Sequence, residues 1–179
     1  VWQDGYYTYT CRNNSDHTTT EKVSRATYTE YDKAVEELNK LLNNDKITEA
    51  AKTEIRNALT DNAVADNLIT SEQGTIDTAT AALNAVLDKI AKDTTGAYEK
   101  VDYTNYNNAV NAYEALDSVM TNADKAAVEA IKTEIAKIPA DGSKKDYQTQ
   151  VDEAAADIAE INAKYGECAS GNHDWNAGE

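Results

Sequence analysis

The chain has 179 residues, with 32 acidic against 17 basic side chains and a formal charge of −15. That balance argues strongly against a nucleic-acid partner, whose phosphates call for a basic surface, and against an anionic membrane surface. The absence of any run of 18 apolar residues removes a membrane-inserted helix.

Apolar residues make up 41%, with no Phe, one Met and one Pro. Few helix breakers, much Ala and abundant Glu, Lys, Asp and Asn suit helices joined by short polar turns. Cys11 and Cys168 lie one near each end. The chain begins at Val1 with no secretory leader, and so reads as a piece of a longer protein.

Residues 1–26 form a segment of their own. Trp2, Tyr6, Tyr7 and Tyr9 crowd its start, and Thr8, Thr10 and Cys11 extend a β-favouring run. Arg12-Asn13-Asn14-Ser15-Asp16 is turn chemistry, and Thr18-Thr19-Thr20-Glu21-Lys22-Val23 is again strand-like. A β-hairpin over roughly 6–23 is expected, and a lone hairpin needs something to pack on.

Residues 27–95 read as a three-helix bundle. Thr27 and Glu30 have the spacing of a capping box. Tyr31, Ala34, Val35, Leu38, Leu41 and Leu42 follow on one helical face, and Asn43-Asn44-Asp45 ends it. Thr48 can cap a second helix with Ala51, Ile55, Ala58 and Leu59 inward. Thr70 or Ser71 opens a third, striped by Ile76, Ala79, Leu83, Val86, Leu87 and Ile90.

Residues 96–165 say the same thing again. Tyr28-Thr29-Glu30-Tyr31-Asp32-Lys33-Ala34-Val35 returns 75 positions later as Tyr103-Thr104-Asn105-Tyr106-Asn107-Asn108-Ala109-Val110. A fixed period of this length marks two copies of one structural unit. Asp102 takes the capping place of Thr27, and the new stripe is Tyr106, Ala109, Val110, Tyr113 and Leu116. The next helix carries Val128, Ile131, Ile135 and Ile138 and stops near Pro139-Ala140-Asp141-Gly142. Lys52-Thr53-Glu54-Ile55 recurs as Lys132-Thr133-Glu134-Ile135 at a spacing of 80, which implies five extra residues before that point. The last helix returns to the 75 register, with Val151, Ala154, Ile158 and Ile161 matching Ile76, Ala79, Leu83 and Val86. Between the copies, Lys92-Asp93-Thr94-Thr95-Gly96-Ala97 allows either end-to-end or side-by-side packing. Residues 166–179 change composition: Gly166, Ser170, Gly171 and Asn172 suggest a loop, and His173-Asp174-Trp175 the start of a strand. The expected fold is thus mainly α: two tandem three-helix bundles, an N-terminal hairpin and a β-like tail.

Tyr28-Thr29-x-Tyr31-x-x-Ala34-Val35, the Leu41-Leu42 pair and Ile76-Asp77-x-Ala79-x-Ala81-x-Leu83 resemble the FIVAR module, a three-helix unit of large Gram-positive surface proteins. The ends, Tyr7-Thr8-Tyr9-Thr10-Cys11 and Cys168-x-x-Gly171-Asn172-His173-Asp174-Trp175, are similar to short Cys- and Tyr-Thr-rich repeats in surface proteins of gut Firmicutes. The resemblance implies an extracellular location at the surface or wall of a Gram-positive bacterium. It also implies a non-enzymatic module that presents helix faces to a host extracellular protein, immunoglobulin among the candidates. A pure spacer, or an ancillary domain of a secreted carbohydrate-active enzyme, are the alternatives.

The residues themselves offer little catalytic chemistry. No nucleophile elbow, phosphate loop or His-Glu-x-x-His stands in the sequence, and paired acids such as Glu36/Glu37 are common in so acidic a chain. No enzyme activity and no cofactor are expected. A Cys11–Cys168 disulfide suits an extracellular protein. The alternative is a zinc site from Cys11, His17, Cys168 and His173, although tight Cys-x-x-Cys pairs are missing. Tyr28 and Tyr103 each precede a core stripe by three residues, where a ring can staple the start of a helix.

Overall fold

The computed structural model describes residues 5–169, with the side chains of 167–169 excepted. Two strands and six helices follow in order: β1 (Gly5–Cys11), β2 (Asn14–Val23), α1 (Thr29–Leu42), α2 (Glu49–Asp61), α3 (Gln73–Ala91), α4 (Thr104–Leu116), α5 (Asn122–Ile135) and α6 (Lys144–Ala169). The chain divides into two compact units between Lys92 and Asp93, close to the expected boundary. The protein is mainly helical, and each unit contains three α-helices.

In the first unit Leu38, Ile55 and Leu83 are fully buried and meet Ala34 between the three helices. Val35, Leu41, Leu59, Val86 and Ile90 pack around them. Truncating a side chain such as Leu38 to Ala would cost roughly 2–5 kcal/mol. Thr48 begins α2 as expected: its backbone is extended, and its hydroxyl accepts from the Ala51 N–H at 3.3 Å. The starts of α1 and α3 lie together, because Gln73 hydrogen-bonds to Thr27. Ion pairing of Lys89 in α3 with Glu54 in α2, at 2.6 Å, adds a polar contact at the surface. α1 and α3 therefore run the same way, with α2 antiparallel, so the chain enters at one end of the bundle and leaves at the other.

The second unit rebuilds this core. Ala109, Tyr113 and Ile158 stand 75 positions after Ala34, Leu38 and Leu83, and Val128 completes the set where Ile55 stood. Val128 follows Ile55 by 73 positions, not 80. Thr121 likewise follows Thr48 by 73 and caps α5 by accepting from the Asp124 N–H at 3.2 Å. Buried Met120 follows buried Ile47 at the same spacing. The connection after α4 is thus two residues shorter than the one after α1, and the five extra residues expected from the recurring Lys-Thr-Glu-Ile do not exist. Ile135 instead ends α5 and packs with Val151, Ala154, Val101 and Tyr103.

Three helix ends also differ from expectation. Thr27 and Glu30 do not form a capping box; Tyr28 occupies the cap without a side-chain bond, and the Thr27 N–H is taken by Gln73. Asp102 does cap, but from one residue further out, accepting from the Thr104 N–H at 2.9 Å and its hydroxyl at 2.6 Å. The segment 166–169 is helical rather than looped. Gly166 lacks the positive φ of a helix-ending glycine. Inside a helix it costs about 1 kcal/mol relative to Ala and does not stop it. The rest of the expected tail, from Ser170 through His173, Asp174 and Trp175, lies outside the described residues.

Short backbone bridges close both units. Arg25 pairs with Ile69 and Lys100 with Ser143, each antiparallel. The Ala26 N–H bonds to Leu68 O and the Val101 N–H to Gly142 O, both at 3.0 Å. The segment leading into each first helix is thereby fastened to the turn before the third.

Candidate functional site

Among the described residues, three of the exposed large apolar side chains, Tyr6, Tyr7 and Tyr9, sit together on the hairpin. β1 alternates Tyr and Thr, and antiparallel pairing sets Tyr7 opposite Glu21 and Tyr9 opposite Thr19. Alternation puts Tyr7 and Tyr9 on one face and Tyr6, Thr8 and Thr10 on the other. Asn14 shapes the turn by accepting from the Asp16 N–H at 3.0 Å. A register break follows Thr10, so Cys11 faces Asn14 and residues 15–17 bulge from the ladder.

Tyr6 is 65% exposed, and Tyr7 and Tyr9 are each 52% exposed. The Tyr7 and Tyr9 rings are tilted at 50° with centroids 6.5 Å apart. The Tyr9 hydroxyl donates to Glu21 Oε2 at 2.9 Å. That hydrogen bond and the neighbouring carboxylate charge raise the Tyr9 pKa above its ordinary value. The phenol is therefore a donor held in place at neutral pH. A cleft of about 500 Å³ opens beside these rings, bounded by Glu21 and by Ser24, Ile69 and Thr70 where the hairpin meets the bundle.

The base of the hairpin is tied down. The Ser24 carbonyl accepts from the Thr70 N–H at 2.9 Å and from its hydroxyl at 3.0 Å. Arg25 donates to the Asp66 carbonyl at 2.9 Å, and its guanidinium lies 5.0 Å from the Tyr28 ring centroid. Tyr28 itself is a structural residue, as its position suggested. Its ring meets Tyr31 edge-on, its hydroxyl donates to Ala65 O, and the same oxygen accepts from the Leu68 N–H at 3.0 Å. Tyr103 repeats the edge contact with Tyr106, and burial raises its pKa.

The other expected site residues fall differently. Cys11 is an exposed free thiol on β1, and His17 is exposed in the bulge. Cys168, the expected disulfide partner, is in the last turn of α6, with its side chain outside the described residues. His173, Trp2 and Trp175 also lie outside them, so the bridge and the zinc alternative both rest on residues beyond that set. Among the described residues, no three His, Cys, Asp or Glu side chains are grouped to hold a metal ion, and no helix is long and apolar enough to cross a membrane. The helix surfaces, the expected binding faces, carry local ion pairs such as Lys33–Glu30, Lys40–Glu36 and Lys137–Glu134.

The sequence pointed to the aromatic strand but not to the cleft. Glu21 and Thr70 reach it from separate segments, which the bridge between Arg25 and Ile69 and the bonds from Thr70 to the Ser24 carbonyl bring together. Compared with protein-family models, curated proteins and solved structures, the chain matches none.

Proposed function

We propose that the protein is a non-enzymatic binding module of a bacterial surface protein, related to the FIVAR units it resembles, and that it engages a host extracellular protein. Three tyrosines exposed by half or more on one small sheet carry this reading. Tyr supplies large contact area, a hydroxyl and little conformational freedom to lose, which is why it is enriched at binding hot spots. The hairpin therefore replaces the helix faces as the contact surface, since exposed ion pairs on helices are well solvated and offer little binding energy. Immunoglobulin is one host protein to test.

Capture from serum and mucosal secretions tests the reading, with the wild-type chain and a Tyr6→Ser, Tyr7→Ser, Tyr9→Ser variant as baits. The expected result is a host protein retained by the first and lost by the second. Retention of nothing, or equal retention by both, refutes it. A spacer role is the second reading, favoured by the path of the chain through the first unit, in at one end and out at the other. Under that reading neither bait retains a host protein.

A further inference from the structure

We infer that β1 is a self-pairing edge, and that two copies of the chain join through antiparallel β1 strands centred on Thr8. A two-stranded hairpin is marginal in water unless something packs on it or extends it. Here every residue of β1 is exposed, and so is every residue of β2 before Val23. No hydrogen bond joins a backbone group of β1 to any element other than β2 among the described residues. Among the described residues, nothing pairs with the outer edge of β1.

The two edges of the sheet differ in a way that selects β1. β2 carries Asp16, Glu21 and Lys22, the kind of charged residues that discourage pairing with another chain. β1, Gly-Tyr-Tyr-Thr-Tyr-Thr-Cys, has no charge and no proline. The strand is also self-complementary. A two-fold axis at Thr8 places Tyr7 opposite Tyr9 of the second copy, Tyr6 opposite Thr10, and Gly5 opposite Cys11. Aromatic and threonine pairs are favourable cross-strand partners, and no like charges face each other. The two tyrosine pairs, already side by side within each strand, become one cluster of four. The product is a four-stranded sheet in order β2-β1-β1-β2, with a charged strand at each rim. Cys11 sits opposite a glycine, so the association needs no disulfide.

This association goes beyond the proposed host-binding role and is measured without any host ligand. Sedimentation of the full chain is followed over a concentration series, in reducing buffer. Salt is held near 0.15 M, where screening over about 8 Å limits repulsion between two acidic bodies. A concentration-dependent dimer is expected. Thr8→Lys and Thr8→Glu each place like charges across the axis, and each is expected to be monomeric with unchanged helical circular dichroism. An equal mixture of the two variants is expected to restore a dimer. A wild-type chain that stays monomeric into the millimolar range overturns the inference. So does a dimer that forms only without reductant, one that survives Thr8→Lys, or a mixture that fails to associate.

Discussion

The side-chain amide of Gln148 grips both backbone polar groups of Asp102. Its Oε1 accepts from the Asp102 N–H at 2.8 Å, and its Nε2 donates to the Asp102 carbonyl at 2.9 Å. Gln73 does the same to Thr27, at 2.7 and 3.0 Å. Each glutamine also donates to an aspartate one turn on, Asp152 or Asp77, at 3.0 Å. Both groups lie just outside a helix, where no ladder can satisfy them. Gln73→Ala and Gln148→Ala should each lower the stability of their own unit by about 1–2 kcal/mol. Urea unfolding of the two variants measures this. A change below a few tenths of a kcal/mol in both would reject the role.

Removing one oxygen from Tyr28 should be costly in the same region. Its hydroxyl serves the connection between α2 and α3 twice, at Ala65 O and at the Leu68 N–H. Tyr28→Phe keeps the ring against Tyr31 and leaves both backbone groups to find new partners. The expected loss is about 1–2 kcal/mol. Amide exchange at Leu68 should accelerate more than exchange in α1, a contrast that a general weakening of the unit would not give.

Asn162 is an improvable position. It is 8% exposed and donates to the Ala109 carbonyl at 2.8 Å, yet its Oδ1 is buried with no hydrogen-bond partner among the described residues. The first unit has Leu87, packed against its core, at the matching place. Burying an unpaired amide oxygen costs on the order of 1–3 kcal/mol, so Asn162→Leu should stabilise the second unit by about 1 kcal/mol or more. Thermal unfolding reads the sign directly, and a lower midpoint would contradict the argument.

The turn between Asp93 and Tyr98 gives a pH signature. Hydrogen bonds to Asp93, first from the Thr95 hydroxyl and then from the Tyr98 N–H, lower its pKa from 3.8 to about 2. A group whose folded pKa lies below its unfolded value contributes stability fully above the unfolded value and loses it as pH falls through the folded one. The wild-type chain should therefore lose stability relative to Asp93→Asn between roughly pH 4 and pH 2, with the difference constant near neutrality. Parallel acid titrations of the two proteins test this, and superimposable curves would refute it.

Gly96 in that turn has a φ of +75°, and a Cβ there would come within 2.7 Å of the Lys144 Cβ. Gly96→Ala should destabilise the second unit by at least about 1 kcal/mol, because both the backbone conformation and the close approach resist a side chain. Denaturant unfolding should show the loss in the second unit only.

Much of the bundle was legible because core positions obey a helical period. Ala34, Leu38 and Leu83 announced themselves by spacing, and the 75-residue repeat carried the reading to Ala109, Tyr113 and Ile158. Ile135 was misplaced for an equally physical reason. Exposed faces of Ala-, Lys-, Glu- and Thr-rich helices reuse few residue types, so a four-letter match such as Lys-Thr-Glu-Ile can arise without structural equivalence. Burial, which the sequence does not display, identified Val128 instead. The glutamine clasps reach across 46 residues to backbone atoms, and backbone partners leave no compositional trace. Their one visible sign was the pair Gln73/Asp77 repeated as Gln148/Asp152 in the 75 register. For the candidate surface, Tyr-Thr alternation gave the strand, while its cleft depended on a contact no local pattern encodes.

The path of the chain through the first unit sets how that unit bears load. Tension applied through the polypeptide enters at the start of α1 and leaves at the end of α3, two helices that point the same way. A pull along them asks α1 to slide past α3, so the resistance comes from many side chains in parallel. The short bridge from Arg25 to Ile69 stands ahead of that interface and shares the strain at the first end to feel it. With α3 at 19 residues, one such unit spans about 28 Å between its points of attachment. A unit built this way resists shear between its two ends without its core being peeled open helix by helix.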